Sequence, residues 1–205
     1  MKNDVARDIS YATSANGLMG QLFIRSIENI TGRISLIKRA KDYDIEVAKG
    51  RNFWEVIVER YNIKMNLIKG SLEDIPKKGP VVIVSNHPFG ILDGLLLGYI
   101  LSKTRNDFKI IANRVFRKAK DLDEVVLPIS FEENREGNLQ NINTRNEAIR
   151  FLKGGGIVGI FPGGTVATSA KLFSRPLDPF WKRFTSNLIL RSGANVVPIF
   201  FGGSN

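Results

Sequence analysis

His87 is the only histidine in a chain of 205 residues, and Asp93 follows it six positions later. Pro88-Phe89-Gly90 lies between them, a turn sequence that can bring the two side chains together. An imidazole can take a proton from a hydroxyl near neutral pH. A carboxylate that accepts the other ring N–H fixes the tautomer and stabilises the imidazolium. The same residues also fit a structural histidine followed by a helix-capping Asp93. Other chemistries find less to work with. There is no cysteine, which excludes a thiol nucleophile, a disulfide framework and thiolate metal sites. A lone histidine with scattered carboxylates indicates no metal site. No Gly-x-Ser-x-Gly elbow occurs, so a serine hydrolase is a weak reading. Gly154-Gly155-Gly156 lacks the Gly-Lys-Ser/Thr ending of a P-loop and precedes a strand, so it reads as a helix stop.

The elements that must carry His87 and Asp93 follow from periodicity. Val81 to Ser85 is short, continuous and β-branched, the pattern of a buried strand. His87 therefore falls on a strand-to-helix turn, with a helix expected over Gly94 to Lys103. Further strands are expected at Met65–Ile68, Lys109–Ala112, Glu124–Pro128, Ile157–Phe161 and Val196–Phe201. Further helices are expected at Phe53–Tyr61, Thr144–Lys153 and Trp181–Ser192. Alternating strands and helices imply an α/β fold, a mostly parallel sheet flanked by helices. Sites in such sheets gather beyond the carboxyl ends of the strands. Asn86 to Asp93, Pro162 to Thr168 and Gly202 to Asn205 occupy that position.

The first 63 residues read as an N-terminal helical extension, and residues 64–205 as the α/β domain. Leu18, Leu22, Ile27, Ile30, Ile34 and Ile37 have helical spacing, with basic residues outside the stripe. Such a helix packs on a core or lies in a lipid headgroup layer. Gly32 weakens it in the middle.

Apolar residues make up 43% of the chain and charged residues 24%, a globular composition. Thirty Lys and Arg against 20 Asp and Glu give a formal charge of +10. That excess attracts an anionic partner: nucleic acid, an anionic leaflet, an acidic carrier protein or a phosphorylated substrate. The basic residues are spread and match no nucleic-acid motif, so a nucleic-acid partner is not expected. Arg114, Arg117, Lys118 and Lys120 form a basic cluster after a strand end. Phe173, Phe180 and Trp181 stand beside Lys171, Arg175, Lys182 and Arg183, a combination that suits a membrane interface or a packed core. The polar start from Met1 to Ser14 has no signal-peptide core, and no run reaches the length of a membrane span. The expectation is a cytoplasmic protein, peripheral on the inner face of the membrane.

Asn86-His87-Pro88-Phe89-Gly90-Ile91-Leu92-Asp93 resembles the histidine–aspartate block of the glycerolipid, or lysophospholipid, acyltransferase superfamily. Phe161-Pro162-Gly163-Gly164-Thr165 is similar to that family's Phe-Pro-Glu-Gly-Thr block. Val197-Pro198-Ile199 resembles its later Val-Pro-Ile/Val block, and Asn113-Arg114 with Leu127-Pro128-Ile129 falls in its second region. The resemblance covers roughly residues 65–205. Two departures stand out. Five residues separate His87 from Asp93 where the family usually has four, and Gly163 replaces the glutamate. Both resemble the hemolysin-like subgroup, with its O-acyltransferases of ornithine and glycine lipids. The lost glutamate weakens the expectation of a glycerol-3-phosphate type of acceptor and leaves the base in place.

The resemblance implies an acyltransferase with a His87–Asp93 dyad. His87 would take the proton of an acceptor hydroxyl as it attacks a thioester carbonyl, and Asp93 would orient His87. Backbone N–H groups near Gly163, Gly164 and Thr165 would face the oxyanion or the acceptor headgroup, if these glycines do more than form a turn. Asn86, Arg114, Phe161 and Pro162 complete the expected substrate-binding set. No cofactor is implied beyond acyl-CoA or an acidic acyl carrier protein as thioester donor. The expected partners are the membrane surface and a lyso-lipid acceptor. A degenerate lipid-binding relic or a basic nucleic-acid-binding protein is the alternative. The chain stops just after a family-like block, so a C-terminal truncation is expected.

Overall fold

The computed structural model describes residues 17–29, 34–132, 134–169, 174 and 176–203. They form two compact units divided between Met65 and Asn66.

The first unit is helical: α1 (Leu18–Glu28), α2 (Ile34–Ala40), α3 (Tyr43–Ala48) and α4 (Phe53–Arg60). The Asn52 side chain caps α4 by accepting from the N–H groups of Trp54 and Glu55. Arg60 donates to Glu46 and to the carbonyls of Arg39 and Lys41, which fastens α4 to the turn between α2 and α3. Arg51 bridges Glu46 and Glu59. The expected continuous stripe divides between α1 and α2, and Ile30 lies outside the described residues.

The second unit holds β1 (Val81–Ser85), α5 (Ile91–Thr104), β2 (Phe108–Asn113), α6 (Lys120–Asp123), β3 (Val126–Ile129), α7 (Arg135–Lys153), β4 (Ile157–Ile160), α8 (Arg183–Ser192) and β5 (Asn195–Ile199). The strands make one five-stranded sheet in the order β3-β2-β4-β1-β5, and every neighbouring pair is parallel. The fold is α/β. β1 and β4 lie in the middle and are buried along their whole length, which explains their unbroken apolar runs. β5 is an edge strand with Asn195, Val196 and Pro198 exposed, a place that tolerates proline's missing N–H.

Helices cover both faces. Ala148 and Leu152 of α7 and Leu188 of α8 pack with Val82, Val84, Ile111, Leu127, Val158 and Ile160. Leu97 and Leu101 of α5 approach the other face at Gly159. The chain leaves β1 through α5 toward β2, and leaves β4 through α8 toward β5. These two connections run in opposite directions from adjacent strands. The carboxyl ends of β1 and β4, in the middle of the sheet, are the position where α/β sheets hold their ligands.

At the opposite end, Arg105 fastens the loops. Its guanidinium donates to the carbonyls of Pro76, Gly79 and Gly155 and pairs with Asp107. That hydrogen-bonded partner holds the Asp107 carboxyl below its usual range.

Two expected elements differ. Met65–Ile68 is not a strand: it carries no ladder partner, and Leu67 and Ile68 are exposed. An apolar tetrapeptide becomes a strand only where a sheet edge is offered to it. α7 begins at Arg135, nine residues before the expected Thr144. Asn134 caps it by accepting from the Gly137 N–H, and its polar first half lacks the apolar period that marks a helix in sequence.

Candidate active site

The site grows from the turn between β1 and α5. Gly90 sits at the helix N-cap with φ 66° and ψ −123°, a conformation that a side chain would strain. That bend starts α5 at once and puts Asp93 in its first turn, where the helix dipole favours a negative charge. Asp93 is 0% exposed. Its Oδ2 accepts the backbone N–H of Phe89 at 2.8 Å and faces His87 Nδ1 at 2.9 Å. A carboxylate only accepts, so the partner assigns the proton to Nδ1 and leaves the Nε2 lone pair free. The His87 side chain keeps 17% of its exposure, so Nε2 chemistry is open to a ligand. Asp93 Oδ1 is buried with no hydrogen-bond partner among the described residues.

Three contacts fix the histidine from outside the pair. Its ring stacks on Phe161 just beyond β4, with centroids 4.1 Å apart and planes inclined by 20°. Its carbonyl accepts from the Ala167 N–H at 2.8 Å. Its own N–H donates to Asp178 Oδ1 at 3.0 Å. Asp178 lies 91 positions away, on a segment without regular structure, and no spacing rule marks it.

The Phe161–Gly164 block forms a tight turn. Pro162 takes its second position, and the Gly164 N–H donates to the Phe161 carbonyl at 2.9 Å. Gly164 has φ +81°. Its N–H is thus engaged inside the turn. The N–H groups of Gly163 and Thr165 have no such partner among the described residues. Gly163 is buried against the segment that carries Asp178. A Cβ on Gly163 would lie 3.1 Å from Pro179 Cδ and 3.3 Å from the Pro179 carbonyl oxygen. A side chain at position 163 would therefore press on Pro179.

The remaining expected residues divide. Asn86 turns its side chain to the chain after β5, accepting from the Phe201 N–H and donating to the Phe201 carbonyl. Its amide thereby joins the ends of β1 and β5. Arg114 is exposed beyond β2 with its guanidinium 3.7 Å from Glu132, and it does not join the dyad. Gly203, beyond β5, comes close to the Phe89 ring, whereas Ser204 and Asn205 lie outside the described residues. Lys171, Phe173 and Arg175 lie outside them too.

Comparison with known proteins decides the family. The Acyltransferase family matches residues 67–202, more than half of the chain. The chain belongs to the acyltransferase family. Its histidine–aspartate block and its Pro-Gly-Gly turn both fall inside that match. The chain is also similar to a lyso-glycine lipid O-acyltransferase of Bacteroides thetaiotaomicron, 29% identical over 157 residues, covering 76% of this chain and 54% of the relative. It is similar to a protein of the same description from Phocaeicola vulgatus, 31% identical over 157 residues, covering 76% and 53%. The chain spans about half the length of these curated relatives. No solved structure matches this family member significantly.

Two predictions belong to this geometry. Gly90→Ala should cost about 1–3 kcal/mol of stability through the forced backbone conformation. It should also lower transfer, because the same bend sets Asp93 on His87. Thermal unfolding and rate measured on one preparation check both effects. Gly163→Glu, which restores the family residue, should reduce transfer rather than raise it. The added side chain presses on Pro179, at about 1–3 kcal/mol for overpacking, next to the Asp178 contact to His87. A gain in rate would contradict this.

Proposed function

We propose that the protein is an O-acyltransferase that moves a fatty acyl group from a thioester to the hydroxyl of a lyso-lipid. The observation that carries the reading is the 2.9 Å pairing of His87 Nδ1 with the buried Asp93 carboxylate, inside a chain of the acyltransferase family. His87 Nε2 accepts the hydroxyl proton as the hydroxyl oxygen attacks the thioester carbonyl carbon. The C–S bond breaks, the thiolate leaves, and the proton on His87 returns to it. Positioned base catalysis of this kind contributes roughly 10²- to 10⁴-fold. The Gly163 and Thr165 N–H groups are the donors available to the developing oxyanion.

The names of the two relatives favour a lyso-glycine lipid as acceptor. Gly163 in the place of the glutamate fits an acceptor other than glycerol 3-phosphate. The donor is acyl-CoA or an acidic acyl carrier protein, either of which the net charge of +10 would attract. The same charge supports a place on the inner face of the membrane. No helix among the described residues is long and apolar enough to cross a membrane.

The test supplies labelled long-chain acyl-CoA and acyl carrier protein thioesters with lyso-phosphatidic acid, lyso-ornithine lipid and lyso-glycine lipid. Acylated lyso-glycine lipid from the wild type supports the reading. No product across the panel from folded protein would leave a lipid-binding relic as the better account.

A further inference from the structure

Every exposed phenylalanine or tryptophan among the described residues of the second unit lies in a segment at the carboxyl end of the sheet. Phe131 follows β3, Phe200 follows β5, and Phe180 and Trp181 lie between β4 and α8. Phe180 is 99% exposed, Phe200 79% and Trp181 58%. Leu177, also exposed, precedes the pair. Exposed aromatics gathered at one end are unlike the scattered apolar residues of an ordinary surface.

The segment that carries Phe180 and Trp181 is held firmly to the site. Leu177 exchanges two backbone hydrogen bonds with Thr168. Asp178 accepts the His87 N–H, Pro179 covers Gly163, and the Lys182 N–H donates to the Pro162 carbonyl at 3.1 Å. The chain thus ties down both sides of Phe180-Trp181 while leaving their rings in solvent. The next two residues, Lys182 and Arg183, are exposed cations, and Arg114 is exposed at the same end of the sheet. Of the acids there among the described residues, Asp93 is buried, Asp178 holds His87, Glu132 lies beside Arg114, and Glu136 is exposed in the first turn of α7. Aromatic tips directly beside the exposed cations Lys182 and Arg183 match a bilayer interface with anionic headgroups.

We propose that Leu177–Lys182 is a membrane-seating element that inserts Phe180 and Trp181 into an anionic lipid surface and so holds the mouth of the His87 site against it. This rests on the proposed function only for its purpose: a lyso-lipid leaving such a surface reaches His87 without crossing water. The seating itself is a binding property and is measured without acyl transfer.

The chain has two tryptophans, and the other one, Trp54, is 7% exposed. Emission from Trp181 therefore reports its surroundings. The full chain is titrated with vesicles of phosphatidylglycerol and phosphatidylcholine, and separately with phosphatidylcholine alone. The expected result is a blue shift that is stronger with the anionic vesicles, quenching by brominated acyl chains, and loss of both in Trp181→Phe. Phe180→Ser with Trp181→Ser should weaken co-sedimentation with anionic vesicles by about tenfold or more, from the lost apolar burial. Both side chains are exposed, and the wild-type quenching reads insertion even if the double variant folds poorly. Three results overturn the inference: no vesicle binding by the wild type, binding with unquenched Trp181 emission, or a folded double variant that binds as tightly as the wild type. Quenching without any acyl transfer would keep the seating element and remove the proposed reaction instead.

Discussion

Changing His87 to alanine is expected to slow acyl transfer by roughly 10²- to 10⁴-fold, the contribution of a positioned general base. The folded state should survive. The ring stacks on Phe161, a pair worth about 1 kcal/mol, and donates to Asp93, whose buried carboxylate loses that partner at about 1–3 kcal/mol. The contacts that hold the turn, from Asp178 and Ala167, are made to the His87 backbone and persist in alanine. The loss should therefore appear in kcat, far beyond what a melting temperature lowered by several degrees accounts for. Circular dichroism and thermal unfolding, run beside the kinetics, separate a missing base from a collapsed site. A variant that keeps the wild-type rate removes His87 from the reaction.

Asp93→Asn is the second large effect, and its cause differs. The asparagine is close in shape, and its carbonyl oxygen can still accept the Phe89 N–H. The same position faces Nδ1, so that oxygen also keeps the Nδ1–H and the tautomer, and what changes is that a neutral amide replaces the carboxylate. The imidazolium thereby loses its counter-charge. The expected loss is again roughly 10²- to 10⁴-fold, with the fold retained. Asp93→Ala should do further harm, because the Phe89 N–H loses its acceptor, at about 1–3 kcal/mol for an unsatisfied buried group. Rates and melting temperatures of both variants distinguish a lost counter-charge from a loosened helix start.

Much of this was legible before any coordinates. Burial on both faces writes itself into Val81–Ser85 and Ile157–Ile160 as unbroken apolar runs, so the central strands stood out. His87 and Asp93 were legible because one short turn joins them, and local geometry is what a sequence encodes best. The illegible parts depend on distant partners. Asn86 looked like a ligand contact, but its amide meets a backbone 115 positions away. Asp178 carried no signal, since its role exists only once the segment before α8 folds back over β4. Gly163 read as a lost glutamate; only packing revealed that Pro179 lies against it. Met65–Ile68 had strand composition but no sheet edge to join.

The central claim is that His87 and Asp93 act as one proton-accepting unit. The most direct measurement compares initial rates of acyl transfer for wild type, His87→Ala, Asp93→Asn and the double variant, each shown to be folded. Residues that act as a unit are strongly non-additive. The account predicts that each single change is severe and that the double variant is no slower than His87→Ala alone. Losses that multiply in the double variant, or a single variant at the wild-type rate, would contradict it.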